Sequence, residues 1–170
     1  MSRGLGDVYK RQRAQIVMIL YNLSGDTTDY SKYYVPFTDV RPSTWYYNAV
    51  AWGYDKDIVA GMSTTTFAPD GLITREQMAT IFGRYALKQG IELPKSDNAA
   101  GSFPDADKIS EYAREFVELM RIAGILNGYE DGTFRPQGNA TRAEAAKLFS
   151  LFLSITDKPV SYTHLTLPTN

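Results

Sequence analysis

Three arginines occupy the same place in a recurring motif and are the residues most suited to binding chemistry. Arg75 and Arg142 each follow a threonine, in the sequences Thr-Arg-Glu-Gln and Thr-Arg-Ala-Glu, and Arg13 stands in a less complete copy. A guanidinium donates paired hydrogen bonds to a carboxylate, and the first amides of a helix also attract anions. The pattern therefore predicts a docking point for an anion at each of these positions.

The same arginines have a structural explanation. A cation in the first turn of a helix opposes the partial positive charge of the helix N-terminus, so it calls for an anionic partner. Acids of the repeats, such as Asp39 or Asp105, could supply that partner within the chain. From the sequence, ligand binding and internal pairing both stay open.

An internal repeat positions the arginines. The sequence from Phe37 aligns with the sequence from Phe103 at an offset of 66, which becomes 67 from Trp45 onward. The matches include Gly, Pro and Arg in one register, which chance does not produce. We assign full repeats to residues 37–87 and 103–155, and the second helix of a partial first repeat to residues 13–30.

Each full repeat begins with a predicted helix, followed by a loop. Ser43 or Thr44 can cap the first helix, and Gly124 suits the end of its counterpart. The loop sequences GMSTTTFAPDG and GYEDGTFRPQG are rich in turn residues and cannot form a regular helix. The apolar residues with helical spacing are Tyr47, Val50, Ala51 and Tyr54 in one repeat, and Phe116, Val117, Met120 and Ala123 in the other.

The second helix of each repeat has a well-specified start. Thr74 with Gln77, and Thr141 with Glu144, match the capping box, in which each residue of the pair bonds the backbone amide of the other. The predicted apolar faces contain Met78, Ile81, Phe82 and Tyr85, and then Ala145, Leu148, Phe149 and Phe152. The sequence therefore predicts an all-α fold of tandem helix-loop-helix repeats.

The two ends of the chain lack repeat character. Residues 1–12 and 160–170 fit no element and resemble translated sequencing-adapter read-through, so we expect them to be non-native. The only histidine, His164, lies in that tail and receives no catalytic role.

Composition limits the classes of function. A net charge of -1 argues against a nucleic-acid binder, which needs basic residues to neutralise phosphates. The absence of cysteine excludes disulfides and thiolate metal sites. No apolar run approaches the roughly 18 residues of a membrane span, and no secretory signal is visible. The abundant tyrosines suit either sugar stacking or core packing.

Neither catalysis nor metal binding is predicted. Glu130 and Asp131 are neighbours in a turn, so they cannot straddle a glycosidic bond as two opposed carboxylates must. The loop that begins at Asn127 also fails as an EF-hand, because Tyr129 and Gly138 occupy positions that require ligands. We expect no enzyme activity, no cofactor and no metal.

The repeats resemble the S-layer homology family. The resemblance is carried by the F-x-D openings, by the aromatic residue at Trp45 or Tyr112, by G-Y-x-D-G-T-F-x-P from Gly128 to Pro136, and by the T-R-A-E motif. It covers about residues 13–155. The upstream repeat departs from the pattern, with Met-Ser-Thr-Thr-Thr in place of Tyr-x-Asp-Gly-Thr, so its loop is expected to contact ligand differently or not at all.

The resemblance implies a pseudo-threefold unit of three repeats. It also implies non-covalent anchoring of a larger extracellular protein to the cell wall or S-layer, through an acidic, pyruvylated secondary cell-wall polysaccharide. The motif arginine is expected to meet the ketal carboxylate, while Trp45 and Tyr112 either stack on sugars or pack between helices. The expected ligand-binding residues are Arg13, Arg75, Arg142, Thr74, Thr141, Trp45, Tyr112, Asp39, Asp105, Gly128 and Asp131.

Two other parent proteins fit the same anchoring physics. One is an outer-membrane protein tethered to a peptidoglycan-linked polymer. The other is a surface glycoside hydrolase that carries these repeats beside a separate catalytic domain. No membrane insertion is expected of the repeats themselves, and only the parent chain would discriminate between these contexts.

Overall fold

The structure is a computed structural model that describes residues 12–156, and it divides them into two compact units. The N-terminal unit comprises residues 12–71 and the C-terminal unit residues 72–156. The boundaries of the units do not coincide with those of the sequence repeats. Each unit contains the second helix of one repeat together with the first helix and the loop of the next repeat. Within the described residues the regular elements are helices, so the predicted all-α class is confirmed.

The N-terminal unit contains helices α1, Arg13–Ser24, and α2, Tyr47–Asp55, which pack against each other. Helix α1 ends at Gly25, whose φ of 68° is readily adopted by glycine. The predicted cap of α2 is wrong: the helix follows Tyr46 without a side-chain cap, and the Thr44 hydroxyl donates to the carbonyl of Arg41. The largest fully buried side chains are Trp52, Tyr30, Phe67, Ile16, Leu20 and Ile58.

The C-terminal unit contains helices α3, Arg75–Lys88, α4, Glu111–Ile122, and α5, Arg142–Thr156. A short 3-10 helix, Ala106–Lys108, precedes α4. Helices α3 and α4 approach closely at Gly83, where an added Cβ would lie 2.6 Å from a ring carbon of Phe116. Helix α4 stops before Gly124, which has the expected positive φ of 74°. Phe82, Phe149 and Phe152 join α3 to α5 by edge-to-face contacts.

The predicted apolar faces of α3 and α5 are buried. On α2, Tyr54 is the exception at 38% exposure, although its ring makes an edge contact with the buried Phe37. Of the expected non-native stretches 1–12 and 160–170, residues 1–11 and 160–170, with His164, lie outside the described residues. Gln12 is described, and its amide donates to Gln15 Oε1 over 3.2 Å at the start of α1, so the expectation that it fits no element is wrong. The pseudo-threefold arrangement of repeats stays a prediction.

Candidate functional site

Helices α3 and α5 begin with the predicted capping boxes. The Thr74 amide donates to Gln77 Oε1 over 3.1 Å, and the Gln77 amide donates to Thr74 Oγ1 over 3.3 Å. The same exchange joins Thr141 and Glu144 over 3.0 and 3.1 Å. Two orphan amides are thereby satisfied at each helix start. Thr74 and Thr141 therefore act as helix caps.

The guanidinium of Arg75 is almost fully buried in the C-terminal unit, at 5% exposure. Its Nε donates to the Phe134 carbonyl over 2.7 Å, and its Nη2 donates to the Asn127 carbonyl over 3.2 Å. Its Nη1 forms an ion pair with Glu144 Oε1 over 3.1 Å. The rings of Tyr129 and Phe134 lie 4.5 and 4.9 Å from the guanidinium carbon. Arg75 thus fastens the start of α3 to the loop of the following repeat.

Arg13 makes the equivalent contacts inside the N-terminal unit. Its Nε donates to the Phe67 carbonyl over 2.8 Å, and its Nη2 donates to the Ala60 carbonyl over 3.1 Å. The Phe67 ring lies 4.8 Å from the guanidinium carbon. Phe67 and Ala60 are the residues that align with Phe134 and Asn127 at the offset of 67. Arg13 and Arg75 therefore make equivalent contacts between the start of a helix and a loop, and we call each such set of contacts a joint.

The first amides of α1 and α3 are also engaged, so the expectation of open amides is wrong for these helices. The Arg75 amide donates to the Gly138 carbonyl over 2.9 Å, and the Glu76 amide donates to the Pro136 carbonyl over 3.0 Å. At α1, the amides of Arg13 and Ala14 donate in the same way to the carbonyls of Gly71 and Pro69. Loop carbonyls fill the positions that an anion would occupy, and they complement the partial positive charge of each helix start.

Asp39 and Asp105 accept hydrogen bonds from loop amides and form no ion pair with the arginines. Asp39 accepts hydrogen bonds from the amides of Phe67 and Ala68 over 2.9 and 2.7 Å. Asp105 accepts from the amides of Phe134 and Arg135, both over 2.8 Å. The internal partner of Arg75 is instead Glu144, with loop carbonyls supplying the remaining acceptors. Asp39 and Asp105 therefore fix the conformation of the loops whose carbonyl groups accept hydrogen bonds from the arginines.

Asp105 makes the C-terminal unit sensitive to acid. Burial alone would raise the pKa of Asp105, but the amides of Phe134 and Arg135 outweigh it and hold the pKa below the ordinary 3.8. Because the folded-state pKa is lowered, the carboxylate stabilises the fold above about pH 3.8, and this stabilisation is lost as pH falls through the folded-state value. We expect Asp105→Asn to lower the free energy of unfolding by about 1–3 kcal/mol at pH 7. The variant should also lose less stability than the parent when the pH falls below 3.8.

Urea denaturation followed by circular dichroism at pH 7 and pH 3 measures both effects. Asp107→Asn is the matched control, because Asp107 lies two residues away and is exposed. If the Asp105→Asn protein had the same stability as the parent at both pH values, Asp105 would not fix the loop as described.

Gly128 and Asp131 shape the loop that Arg75 grips. A Cβ on Gly128 would lie 2.7 Å from the Gly132 carbonyl oxygen, so this position requires glycine. Asp131 accepts from the amide and hydroxyl of Thr133 over 3.0 and 2.6 Å and pairs with Arg135 over 3.3 Å. These hydrogen bonds from Thr133, together with the Arg135 cation, lower the pKa of Asp131 to about 2. Both residues are explained by turn geometry.

A groove of about 210 Å³ opens beside Arg75 in the C-terminal unit. The Tyr129 hydroxyl donates to Glu144 over 2.8 Å, and its ring is contacted by the guanidinium groups of both Arg75 and Arg135. Lys147, which is exposed, adds a second cation to the lining. The other lining residues are Met78, Ile125, Leu126, Asn127, Gly128 and Leu148. The groove thus combines cations, an aromatic ring and apolar walls.

The two candidate aromatic residues are half exposed. Trp45, in the N-terminal unit, is 51% exposed and makes an edge contact with Tyr46. Tyr112, in the C-terminal unit, is 48% exposed, and its hydroxyl donates to Glu76 over 3.3 Å. Glu76 also accepts from the amide and hydroxyl of Ser110 at the start of α4. Tyr112 is therefore positioned by the helix packing, while part of its ring faces solvent.

Arg142 differs from the other two arginines. It is half-buried at the start of α5, and its guanidinium has no hydrogen-bond or ion-pair partner among residues 12–156. Of the eleven predicted residues, Arg75 and Gly128 line the groove. Sequence reasoning missed Tyr129 and Lys147 as groove residues. Lys147 could have been found from its spacing, because it lies three residues after Glu144 on the same helix and so on the same face.

Comparison with known proteins agrees with the repeat assignment. The profile of the S-layer homology domain matches residues 36–79 and 102–146. An amylopullulanase of Thermoanaerobacterium thermosulfurigenes is 33% identical over 141 residues, which are 83% of this chain and 7% of that protein. The Surface-layer 125 kDa protein of Lysinibacillus sphaericus is 31% identical over 119 residues, which are 68% of this chain and 10% of that protein.

A cellulosome-anchoring protein of Acetivibrio thermocellus is 28% identical over 138 residues, which are 75% of this chain and 30% of that protein. The chain therefore spans less than a third of each of these relatives. The expected place at the cell surface is confirmed by the S-layer and cell-surface relatives, and the domain is a non-catalytic anchoring module that enzymes also carry. None of the helices within residues 12–156 has the length and apolarity to cross a bilayer. The chain belongs to the S-layer homology domain family.

Proposed function

We propose that this chain anchors a surface protein by binding an acidic, pyruvylated secondary cell-wall polysaccharide in the groove beside Arg75. The observation that carries the proposal is the composition of that groove. Lys147 and Arg75 supply positive charge, Tyr129 supplies an aromatic ring, and Met78 and Leu148 supply apolar walls. A sugar that bears a carboxylate and a methyl group on one ketal needs a cation and an apolar contact at close range.

The two cations have different tasks in this proposal. Arg75 is nearly buried and already donates to two carbonyls and to Glu144, so it builds the groove and holds Tyr129 in place. Lys147 is exposed and has no ion pair among the described residues, so its ammonium is the group available to meet a ligand carboxylate. In the upstream repeat Thr80 and Met62 stand where Lys147 and Tyr129 stand here. This difference supports unequal binding by the two repeats.

Weak single sites suit a polymer ligand. A hydrogen bond to a charged group contributes roughly 1.5–3 kcal/mol, so one groove alone binds weakly. Anchors on one protein that meet a repeating polymer gain avidity of roughly 10²–10⁴ through effective concentration. Repetition of the domain therefore supports an anchoring role, whereas an enzyme needs one asymmetric site.

We expect Lys147→Ala to weaken binding to purified wall polysaccharide by about 10–100-fold, because it removes a charged hydrogen bond worth roughly 1.5–3 kcal/mol. The measurement is titration of the full chain with polysaccharide, before and after chemical removal of pyruvate. The parent protein should lose its affinity on pyruvate removal, and the variant should change little.

Lys95→Ala is the matched control, because Lys95 carries the same charge in the same unit, is exposed, and does not line the groove. Equal affinity of Lys147→Ala and the parent would exclude the groove as the binding site. Full affinity of the parent for the depyruvylated polymer would instead point to recognition of neutral sugars.

The relatives favour one class of parent protein for such an anchor. An amylopullulanase and an endoglucanase of Bacillus sp. (strain KSM-635) both align with more than four-fifths of this chain. We propose a surface glycoside hydrolase as the second candidate context, in which these repeats hold a separate catalytic domain at the wall. The coding sequence that flanks this chain in its source genome tests this proposal, and flanks without any glycoside hydrolase domain would contradict it.

A further inference from the structure

Asn127 and Gly128 form the only Asn-Gly pair of the chain, and both residues line the groove beside Arg75. In such a pair the glycine nitrogen can attack the side-chain carbonyl carbon of the asparagine, because glycine has no side chain to obstruct a close approach. The new carbon–nitrogen bond closes a succinimide ring, and the side-chain nitrogen leaves as ammonia with the proton of the glycine amide. Water then opens the ring to an aspartyl or an isoaspartyl residue, so no other reactant is needed.

The attacking nitrogen is available in this loop. The Gly128 amide has no hydrogen-bond acceptor among residues 12–156, and the exposed side chain of Asn127 has no hydrogen-bond partner in that range. The chain also contains two Asp-Gly pairs, which could cyclise by the same route, but the amides of Gly71 and Gly132 donate to loop carbonyls over 3.0 and 2.8 Å. The contacts therefore single out the pair at Asn127.

The Arg75 joint favours the attack. The Nη2 of Arg75 donates to the main-chain carbonyl oxygen of Asn127 over 3.2 Å. That oxygen belongs to the same peptide group as the Gly128 nitrogen, so it gains negative charge when the nitrogen loses its proton. The nearly buried guanidinium stabilises this charge, because a fixed cationic donor is strongest where charge develops away from water.

We propose that Asn127 is a site of spontaneous deamidation that alters both the groove and the Arg75 joint. The aspartyl product adds a negative charge to a groove whose cations are Arg75 and Lys147. In the isoaspartyl product the main chain runs through the side-chain carbons and is longer by a carbon atom before Gly128. The loop has no room for this change, since even a Cβ on Gly128 would lie 2.7 Å from the Gly132 carbonyl oxygen. Deamidation is independent of polysaccharide binding, whereas the effect of the new charge on a ligand rests on the proposed function.

The test incubates the full chain in mildly alkaline buffer and follows the tryptic peptide of residues 122–142 by mass spectrometry. Trypsin leaves this peptide whole, because Arg135 precedes a proline. The peptide contains Asn139 as an internal control, whose successor carries a side chain and donates its amide to the Ile73 carbonyl over 2.9 Å. We expect Asn127 to convert to aspartate and isoaspartate several-fold faster than Asn139, and faster as the pH rises.

The upstream repeat offers matched variants, because Ala60 aligns with Asn127. Asn127→Ala should abolish the conversion, and incubation should lower the urea midpoint of the parent but not of this variant. Ala60→Asn should create a second deamidation site before Gly61. There the Arg13 guanidinium donates to the carbonyl of residue 60 over 3.1 Å, and the Gly61 amide has no acceptor within the described part of the chain.

Three results of these measurements would overturn the proposal. One is equal conversion of Asn127 and Asn139 in the folded protein. Another is conversion of Asn127 only after the chain is unfolded in urea, which would show that the loop blocks the attack. The third is a parent protein whose urea midpoint stays constant while Asn127 converts. An Ala60→Asn protein that does not convert at residue 60 would exclude promotion by the arginine contact.

A binding measurement tests the effect of the charge separately. Asn127→Asp carries the aspartyl charge without incubation, and Asn127→Ala is its neutral control. We expect Asn127→Asp to bind wall polysaccharide several-fold more weakly than Asn127→Ala. Equal affinity of these two variants, together with weaker binding by Lys147→Ala, would overturn the effect of deamidation on the groove. Equal affinity of all three would instead exclude the groove as the binding site and so contradict the proposed function.

Discussion

Replacing Arg75 by alanine is expected to lower the free energy of unfolding of the C-terminal unit by about 3–5 kcal/mol. The substitution removes three hydrogen-bonding contacts of a nearly buried guanidinium, to Phe134, Asn127 and Glu144. It leaves two loop carbonyls and a carboxylate without that donor, and unsatisfied buried groups cost more than the contacts themselves contribute. Urea denaturation followed by far-ultraviolet circular dichroism measures the loss.

Arg142→Ala is the matched control, because it removes the same side chain from the equivalent position without breaking a described contact, and we expect a change within about 0.5 kcal/mol. Arg75→Lys should fall between the two, since an ammonium keeps the ion pair with Glu144 but cannot reach both carbonyls with a planar fork. Arg13→Ala repeats the test in the N-terminal unit, where the fluorescence of buried Trp52 reports unfolding. Superimposable urea denaturation curves for Arg75→Ala and Arg142→Ala would contradict the stabilising role of Arg75.

The second large effect is expected at Gly61, which begins the loop of the N-terminal unit. A Cβ at this position would collide with the Ser63 carbonyl oxygen and lie 2.6 Å from the Thr66 carbonyl oxygen. Two of the three nearest atoms are backbone oxygens, which cannot rotate away as a flexible side chain would, and the third is a ring carbon of the buried Phe37 at 2.6 Å. We expect Gly61→Ala to cost about 3 kcal/mol or more, at the upper end of overpacking effects. Tryptophan fluorescence during urea denaturation measures the loss.

Gly101→Ala is the control for this prediction, because an added Cβ there meets no atom within 4 Å. Gly101 lies in the C-terminal unit and both tryptophans lie in the N-terminal unit, so circular dichroism follows the unfolding of this control. It should leave stability unchanged or slightly raise it by restricting the unfolded chain. Gly128→Ala should behave like Gly61→Ala in the C-terminal unit, since its Cβ would lie 2.7 Å from the Gly132 carbonyl oxygen. If Gly61→Ala and Gly101→Ala were equally stable, the loop would have to be far more adaptable than its hydrogen bonds indicate.

Local features of the fold were predictable because they depend on short sequence separations. The capping boxes of Thr74 and Thr141 need only a partner three residues away, and both are formed. The apolar faces of α3 and α5 follow from helical periodicity and are buried. The cap of α2 failed because a hydroxyl near a helix start has competing acceptors, and Thr44 turns to the Arg41 carbonyl instead.

The tasks of the arginines could not be predicted in the same way. The acceptors of Arg75 lie 52 and 59 residues along the chain, and they are carbonyl groups, which every residue possesses. No residue type in the sequence marks them. The acids Asp39 and Asp105 looked like partners by charge, but the structure gives them loop amides as donors.

The sequence by itself determined the repeat, the helical class, the family and the recurring arginine, because repeats and helix starts are recognised from residue types at fixed spacing. Only the tertiary structure decided which arginines are held inside the chain, since that depends on where a loop from the next repeat lies. It also decided that Tyr129 and Lys147 share a groove with Arg75. Side chains from separate helices and loops meet there only because packing brings them together.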